Sequence, residues 1–151
     1  MTDDPLALFY SYSHRDERHR KRLETHLSPL RRDGLISDWH DRRIEAGTEW
    51  RLDIDRELTR ADLILLLVSP DFMASEFAYE REFRAAMERH QAGTARVIPV
   101  IVTPVDWHSA PFGELQALPT DGRPVTTWSN RDQAWYSVAR GLRATIRDRQ
   151  V

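Results

Sequence analysis

The sequence contains no cysteine, and Lys21 is the only lysine among its 22 basic residues. The missing cysteines exclude a disulfide scaffold, a thiolate zinc site and a cysteine nucleophile. The near-absence of lysine excludes a Gly-Lys-Ser/Thr phosphate loop and a lysine Schiff-base enzyme. Catalysis by this chain therefore has to rely on carboxylates, hydroxyls, imidazoles or arginines.

Long apolar runs and export signals are also missing. The longest apolar run, Leu63 to Val68, is far shorter than the roughly 20 residues that span a bilayer, and the stretch from Met1 to Pro5 is acidic. The 151 residues are 40% apolar and carry a net charge of only -2. We therefore expect one cytoplasmic domain over residues 1–151, either alone or as the excised N-terminal module of a longer chain, with no membrane or nucleic-acid partner.

Strand-like and helical segments alternate along the chain. Short apolar runs predict strands at Leu6–Tyr10, Leu35–Trp39, Leu63–Val68, Val97–Val102 and Val125–Trp128. Helical periodicity predicts helices over Asp16–Arg32, ending at Gly34, and over Glu49–Arg60, Asp71–Gln91 and Arg131–Arg149. Pro99 indicates a peripheral place for its strand, because proline donates no ladder hydrogen bond. The pattern predicts an α/β fold, a flavodoxin-like doubly wound sheet of five parallel strands with helices on both faces.

In such a sheet, ligands bind beyond the carboxyl ends of the strands, at the switch point between the first and third strands. Three polar segments are expected to meet at this edge: Ser11 to Arg15, His40 to Glu49 and Ser69 to Ser75. Helix N-termini there offer N–H groups to a phosphate, and Arg15, Arg42 and Arg43 add positive charge. Each feature also has a structural explanation, since serines after strands are often helix caps and loop arginines are often solvated.

Other chemistries that use this fold are less well supported. A phosphoreceiver needs clustered acids after the first strand and a late lysine, and neither is present. A flavin carrier stays a lesser alternative, because no Ser/Thr- and Gly-rich phosphate loop follows the first strand. No Gly-x-Ser-x-Gly elbow is present. The six histidines lack metal-ligand spacing, so we expect no metal; they are His14, His19, His26, His40, His90 and His108.

Two carboxylates in the helix predicted after the third strand require separate consideration. Glu80 and Glu82 point about 200° apart on a helix, so they cannot form an acid/base pair. Glu82 lies on one flank of the apolar stripe that contains Tyr79, Phe83 and Ala86. An acidic residue favoured by the helix dipole explains Glu82 equally well without any catalytic role.

Several motifs together resemble the Toll/interleukin-1 receptor (TIR) domains in their bacterial form. They follow the family's order along almost the entire chain: the box Phe9–Asp16, the loop segment Trp39–Trp50, the third strand and its exit from Ala61 to Ser75, and Ile98–Ile101 with Asp106-Trp107. The resemblance implies the TIR fold. In TIR domains that cleave NAD⁺, one glutamate early in the third helix is catalytic.

Alignment with that family places the catalytic glutamate at Glu82, with Glu80 as the fallback. The position four residues earlier, where many such enzymes carry an aromatic residue or cysteine, is Ala78. Stacking against nicotinamide is then expected from another aromatic residue, for which the candidates are Phe77, Tyr79, Tyr10 and Trp39. The resemblance implies that NAD⁺ is a substrate and that no cofactor is needed.

The resemblance further implies which residues contact NAD⁺ and how the domain works. The candidate contacts are Tyr10, Ser11, Ser13, Arg15, Trp39, Asp41, Arg43, Trp50 and Ser69. We expect an NAD⁺ nucleosidase that releases nicotinamide and ADP-ribose or a cyclic isomer, acts in bacterial anti-phage signalling, and is activated by TIR–TIR assembly under a fused or separate sensor domain. The alternative is a non-catalytic adaptor that acts through contacts of the loop from His40 to Glu49.

Overall fold

The computed structural model describes residues 4–39, 56–75 and 83–150. Within these residues, four strands form one sheet in the order β2-β1-β3-β4, and all neighbouring pairs are parallel. The strands are β1 (Leu6–Ser11), β2 (Ile36–Trp39), β3 (Leu63–Val68) and β4 (Arg96–Ile101). The predicted doubly wound parallel sheet is thereby confirmed, with four strands in the described part of the chain instead of five.

Helices connect the strands and close the chain. They are α1 (Glu17–His26), α2 (Ser28–Arg32), α3 (Pro70–Ala74), α4 (Phe83–Gln91) and α5 (Arg131–Gln150), with 3-10 turns at His14–Asp16, Thr120–Gly122 and Val125–Thr127. Residues 56–60 are also helical. Among the helices in these ranges, none combines the length and the apolar character that crossing a membrane requires.

The central strand β3 divides the core into two layers. All six of its residues are buried, which explains why its sequence shows no polar alternation. Leu63, Leu65 and Leu67 belong to the layer that α1, α2 and α5 cover. Ile64 and Leu66 belong to the other layer, where α3, α4 and the segment 105–117 pack. Helices on both faces leave the carboxyl edge of the sheet as the place where polar residues gather.

The predicted helix over Asp16–Arg32 is wrong in its continuity. It consists of a 3-10 turn followed by α1 and α2, and the break falls at Leu27. Pro29 stands in the first turn of α2, where its missing N–H breaks no helical hydrogen bond, whereas it would break one inside a continuous helix. The predicted end at Gly34 agrees with the structure, since this glycine adopts a φ of 75°.

The predicted helix over Asp71–Gln91 is also not continuous. Helix α3 ends at Ala74, and Ser75 has an extended backbone with ψ 120°. Helical structure is described again from Phe83, the first residue of α4. Glu80 and Glu82 lie outside the described residues, and so does the predicted divergence of their side chains.

The predicted fifth strand over Val125–Trp128 is wrong. Val125–Thr127 forms a 3-10 turn after Pro124, and the Thr126 N–H donates to the carbonyl of Val102 beyond β4. Val125 is fully buried, so its apolar character serves the core from a turn and not from a strand. The β-branched residues suggested a strand, but tertiary packing overrides that preference.

The position beside β4 is occupied by a single residue, Leu118, which forms an isolated parallel bridge with Val100. Its N–H donates to Pro99 and its carbonyl accepts from Ile101, at 2.9 and 2.8 Å. Strand β4 therefore lies at the edge of the described sheet, as Pro99 predicts. Because the Pro99 carbonyl faces Leu118, the proline nitrogen faces the same side and no hydrogen bond with β3 is lost.

Candidate functional site

The described part of the site lies where β1 and β3 end. These neighbouring strands pair Ser11 with Leu66, so the turn after Ser11 and the residue after Val68 reach the same edge of the sheet. From β1 the chain crosses to β2 on one side of it, and from β2 it crosses back to β3 on the other side of β1. This reversal makes the edge the topological switch point. The structure thus brings together two of the three polar segments that the sequence places there.

Ser69 links the end of β3 to the beginning of α3. Its hydroxyl accepts a hydrogen bond from the Phe72 N–H at 3.0 Å and caps the helix. The same hydroxyl donates to Oδ2 of Asp16 at 2.5 Å. Because a serine hydroxyl has one proton to donate, Asp16 takes the only donor of the Ser69 side chain. The predicted contact of Ser69 with NAD⁺ stays a prediction, and the structure gives Ser69 a local structural task.

Asp16 and His19 are buried charged groups at this edge, with exposed fractions of 5% and 7%. Burial raises the pKa of the Asp16 carboxyl, although the hydrogen bond from Ser69 and the nearby His19 favour its ionised form. Burial lowers the pKa of His19, although the Asp16 charge opposes this effect. Each residue therefore favours its neutral form more than it does in water.

Ser13 and Arg15 lie on the outer side of the same turn. The Ser13 hydroxyl accepts a hydrogen bond from the Arg15 N–H at 3.3 Å and caps the 3-10 turn. Ser13 is half-buried, and Arg15 is exposed. Of the predicted NAD⁺ contacts with described side chains, these two are the ones open to a ligand from solvent.

Tyr10 and Ser11 are almost completely buried, each at 1% exposure. The ring of Tyr10 lies within the core layer under α1 and α5, and the Arg20 guanidinium lies 5.9 Å from its centre. The structure therefore places Tyr10 beneath the edge and not on its surface. Stacking of this ring on nicotinamide stays an untested expectation that would require the core to open.

A buried ion-pair network supports the turn from below. Arg20, at 3% exposure, pairs with Glu17 and Glu24 one helical turn to either side. The Tyr12 hydroxyl donates to the other carboxylate oxygen of Glu17 at 2.6 Å. Burial opposes the charge of Arg20, but the hydrogen bonds and charge of Glu17, together with Tyr12 and Glu24, raise its pKa overall, so Arg20 keeps its charge.

Sequence reasoning missed the buried polar residues at this edge. The i, i+3 and i, i+4 spacing of Glu17, Arg20 and Glu24 is a recognisable helical signal for ion pairing. Asp16 and Ser69 are 53 residues apart, so no local pattern predicts their hydrogen bond. Within the described ranges, no group of three or more His, Asp or Glu side chains is placed to hold a metal ion.

Several predicted site residues cannot be placed. Trp39 ends β2 and pairs in register with Phe9, but only its backbone is described. The others lie outside the described residues: the candidate carboxylates Glu80 and Glu82, the predicted contacts Asp41, Arg43 and Trp50, and the neighbouring Arg42, Phe77, Ala78 and Tyr79. Their roles stay predictions.

A relative with considerable sequence identity comes from Sinorhizobium fredii, where it carries the name "Uncharacterized protein y4lF". The two sequences are 51% identical over 137 residues, which cover 91% of this chain and 42% of the relative. The chain thus spans less than half the length of this curated relative.

Two solved structures share the fold at low sequence identity. The TIR domain of the Toll-related receptor TRR-2 from Hydra magnipapillata matches with a TM-score of 0.65 and 17% identity, over 93% of this chain and 97% of that one. The TIR domains of the activated Roq1 resistosome, which directly recognizes the pathogen effector XopQ, match with a TM-score of 0.51 and 23% identity, over 63% of this chain and 56% of that one. Beyond the fold, the sequence itself matches the family model of the TIR domain over residues 8–135. The chain therefore belongs to the TIR domain family.

Proposed function

We propose that this TIR domain is an NAD⁺ nucleosidase that breaks the bond between nicotinamide and ribose, with Glu82 as the catalytic residue. The observation that carries the proposal is the edge of the sheet at the switch point, where the chain buries Asp16, His19 and Ser69 and presents Ser13 and Arg15 to solvent. Buried charges with perturbed pKa values are concentrated at functional sites. Nicotinamide is released with either of two products. Water adds to C1′ of the ribose and gives ADP-ribose and a proton, or the adenine of the same molecule attacks C1′ and gives cyclic ADP-ribose.

The chemistry of NAD⁺ explains why one carboxylate suffices. Ordinary glycosidases use two carboxyl groups, because an alkoxide leaving group has to be protonated. Nicotinamide leaves the ribose as a neutral base, because its cationic pyridinium nitrogen takes the electron pair of the broken bond, so no general acid is required. The remaining task is to stabilise positive charge on the ribose, which a fixed anion such as the Glu82 carboxylate performs.

The proposed contacts fall into two groups. Ser13 and Arg15 supply a hydroxyl and a positive charge for the phosphate and ribose groups, together with Arg43 and Asp41. Ser11, Tyr10 and Ser69 are buried, so we assign them to the base of the site and not to its open surface. Trp39 and Trp50 are the proposed aromatic partners of the nicotinamide or adenine ring.

Glutamine substitution tests the catalytic assignment. Glu82→Gln removes the charge and keeps the size of the side chain, so we expect kcat for nicotinamide release to fall by about 100-fold or more. Glu80→Gln tests the fallback position, and Glu88→Gln, an exposed glutamate of α4, is the matched control. Full activity in Glu82→Gln would exclude Glu82, and loss in Glu80→Gln alone would move the assignment there.

Self-association is the second part of the proposal. Tyr136 on α5 is 53% exposed, and the Arg140 guanidinium lies 5.7 Å from its ring centre. A cleft of about 440 Å³ beside them also exposes Leu118 and Trp128. Tyrosine, tryptophan and arginine are the residues that most often dominate protein interfaces. The similar fold found in the activated Roq1 resistosome supports assembly of this domain as well.

Assembly predicts a specific concentration dependence. If a neighbouring subunit completes the site, NAD⁺ cleavage rises more steeply than linearly with protein concentration, and crowding agents increase it. Activity that stays proportional to concentration down to dilute solution would contradict activation by assembly. In the bacterial cytoplasm, we propose that a sensor domain, fused or separate, drives assembly in anti-phage signalling.

A non-catalytic adaptor is the alternative, and the hydroxyls at the edge of the sheet favour it. Ser13 and Ser69 both cap helical turns, so they have structural reasons to be present. An adaptor would associate with other TIR domains and leave NAD⁺ intact. Incubation with NAD⁺, with and without a crowding agent, followed by chromatography of the products, distinguishes the two functions.

A further inference from the structure

A hydrogen bond between side chains connects the exits of the two central strands. Asp16 follows β1 and Ser69 follows β3, and their side-chain oxygens are 2.5 Å apart. Both residues are buried, with exposed fractions of 5% and 1%. Because both groups are shielded from water, water does not compete for their hydrogen bond. The bond therefore holds the two exits together.

The hydroxyl of Ser69 is fixed from two directions. It donates to Asp16 and accepts from the Phe72 N–H at 3.0 Å, the bond that caps α3. Pro70 restricts the backbone immediately after it, in the first turn of the helix. Any movement of the Asp16 carboxylate is therefore transmitted to the beginning of α3.

Asp16 makes this bond in place of a local one. It occupies the N-cap position of α1, where aspartate commonly accepts a hydrogen bond from the first turn, yet its side chain makes no capping bond. Its carboxylate reaches across the sheet edge instead. Among the described residues, the charged groups that also act on it are His19 and Arg18 from α1 and Asp71 from α3.

We propose that Asp16 is a positioning residue, which holds the turn Ser13–Asp16 and the beginning of α3 in a fixed relation through the Ser69 hydroxyl. The inference rests on the proposed function, because the turn carries the proposed substrate contacts Ser13 and Arg15. Helix α3 leads through Ser75 into the part of the chain that contains Glu82. Asp16 acts on catalysis through these residues and does not itself contact the substrate.

Amide hydrogen exchange tests the connection without any activity. Asp16→Ala removes the acceptor and leaves Ser69 able to cap α3, whereas Asp16→Asn keeps an oxygen that accepts from Ser69. We expect the Phe72 and Met73 amides to exchange about tenfold faster in Asp16→Ala. Asp16→Asn should stay within about twofold of the wild type.

Asp71→Ala, which removes an exposed acid from the first turn of α3, is the control for charge. Faster exchange confined to residues 13–19 in Asp16→Ala would overturn the proposal.

Steady-state kinetics test the positioning role. We expect Asp16→Ala to lower kcat for NAD⁺ cleavage about tenfold with KM within about twofold, since a small displacement of reacting groups is costly. Asp16→Asn should restore kcat. A loss that merely follows the fraction of folded protein, or that Asp16→Asn does not restore, would contradict positioning.

A second variant keeps the proposal testable if Asp16→Ala does not fold. Asp16→Glu keeps the charge and the acceptor but lengthens the side chain by one methylene, so positioning predicts altered Phe72 exchange and lower kcat. Wild-type values for both would overturn the proposal. A wild-type protein that does not cleave NAD⁺ would refute the proposed function, while the exchange measurements would still decide whether Asp16 connects the two exits.

Discussion

The two ends of the sheet use polar side chains in different ways. At the amino end, side chains bond mainly to the backbone of the connecting segments. The Arg89 guanidinium donates to the carbonyls of Leu58 and Thr94, at 2.9 and 2.8 Å. The neighbouring His90 accepts the Val97 N–H on Nδ1 at 3.0 Å. These bonds help to satisfy main-chain groups where helices and strands begin or end, although the Leu58 carbonyl also accepts the Ala61 N–H at 3.3 Å.

At the carboxyl end, the polar side chains around the exits of β1 and β3 bond mainly to one another. Ser69 donates to Asp16, and Arg20 pairs with Glu17 and Glu24. The removal of charged groups from water costs free energy that these bonds only partly recover. In the described residues, the amino end therefore uses polar side chains to bond backbone groups, while the exits of β1 and β3 bury ionisable side chains.

The largest expected effect comes from the amino end. Arg89→Ala leaves the carbonyls of Leu58, Ala61 and Thr94 without their side-chain donor, so we expect the free energy of unfolding to fall by about 2–4 kcal/mol. Arg96→Ala, at an exposed position nearby, should change it by less than about 0.5 kcal/mol. Urea denaturation measures both. Equal, small effects would show that Arg89 does not hold the amino end.

A pH series tests the charges at the carboxyl end. The pKa of Asp16 is raised above its ordinary 3.8, so its contribution to stability is full below that pH and is lost as the pH rises through the folded-state pKa. The pKa of His19 is lowered from 6.5, so its contribution is full above 6.5 and is lost as the pH falls. In Asp16→Asn, the stability that wild type loses through Asp16 as the pH rises is not lost. The stability lost through His19 as the pH falls becomes larger, because the Asp16 charge no longer favours protonated His19.

Both effects make Asp16→Asn more stable relative to wild type as the pH rises. The free energy of unfolding of Asp16→Asn relative to wild type should increase as the pH rises from about 3 to about 7. A constant difference for Asp16→Asn would mean that burial does not perturb these two groups.

Much of the fold follows from local sequence patterns, because the forces involved are local or apolar. The uninterrupted apolar run of β3 predicts a central buried strand, and Gly34 predicts the end of α2. The sequence does not predict that Val125 enters the core from a turn, since burial and strand formation favour the same residue types. The break after Ala74 was missed because apolar periodicity does not register a change in backbone conformation at Ser75.

The position of the candidate site was predictable, but its interior was not. Parallel topology alone places the exits of β1 and β3 at one edge. The partnership of Asp16 with Ser69 depends on how two distant segments pack, so it leaves no sequence signal. The catalytic assignment of Glu82 depends on the family resemblance and stays a prediction that the mutant assay has to test.

The smallest expected effect distinguishes buried from exposed pairs at the carboxyl end. Asp132 at the beginning of α5 accepts hydrogen bonds from Arg22, at 2.6 Å, and His26, at 3.3 Å, which lower the pKa of its carboxyl. Arg22 and Asp132 are 51% and 61% exposed, so water and salt screen their attraction. Asp132→Asn should therefore unfold at the same urea concentration as wild type in about 0.15 M salt, with a small loss only at low ionic strength. A loss as large as that of Arg89→Ala would show that exposed pairs stabilise this chain as strongly as buried bonds do. The difference in stabilisation between the two ends of the sheet would then depend on how many charged side chains each end has, and not on how deeply they are buried.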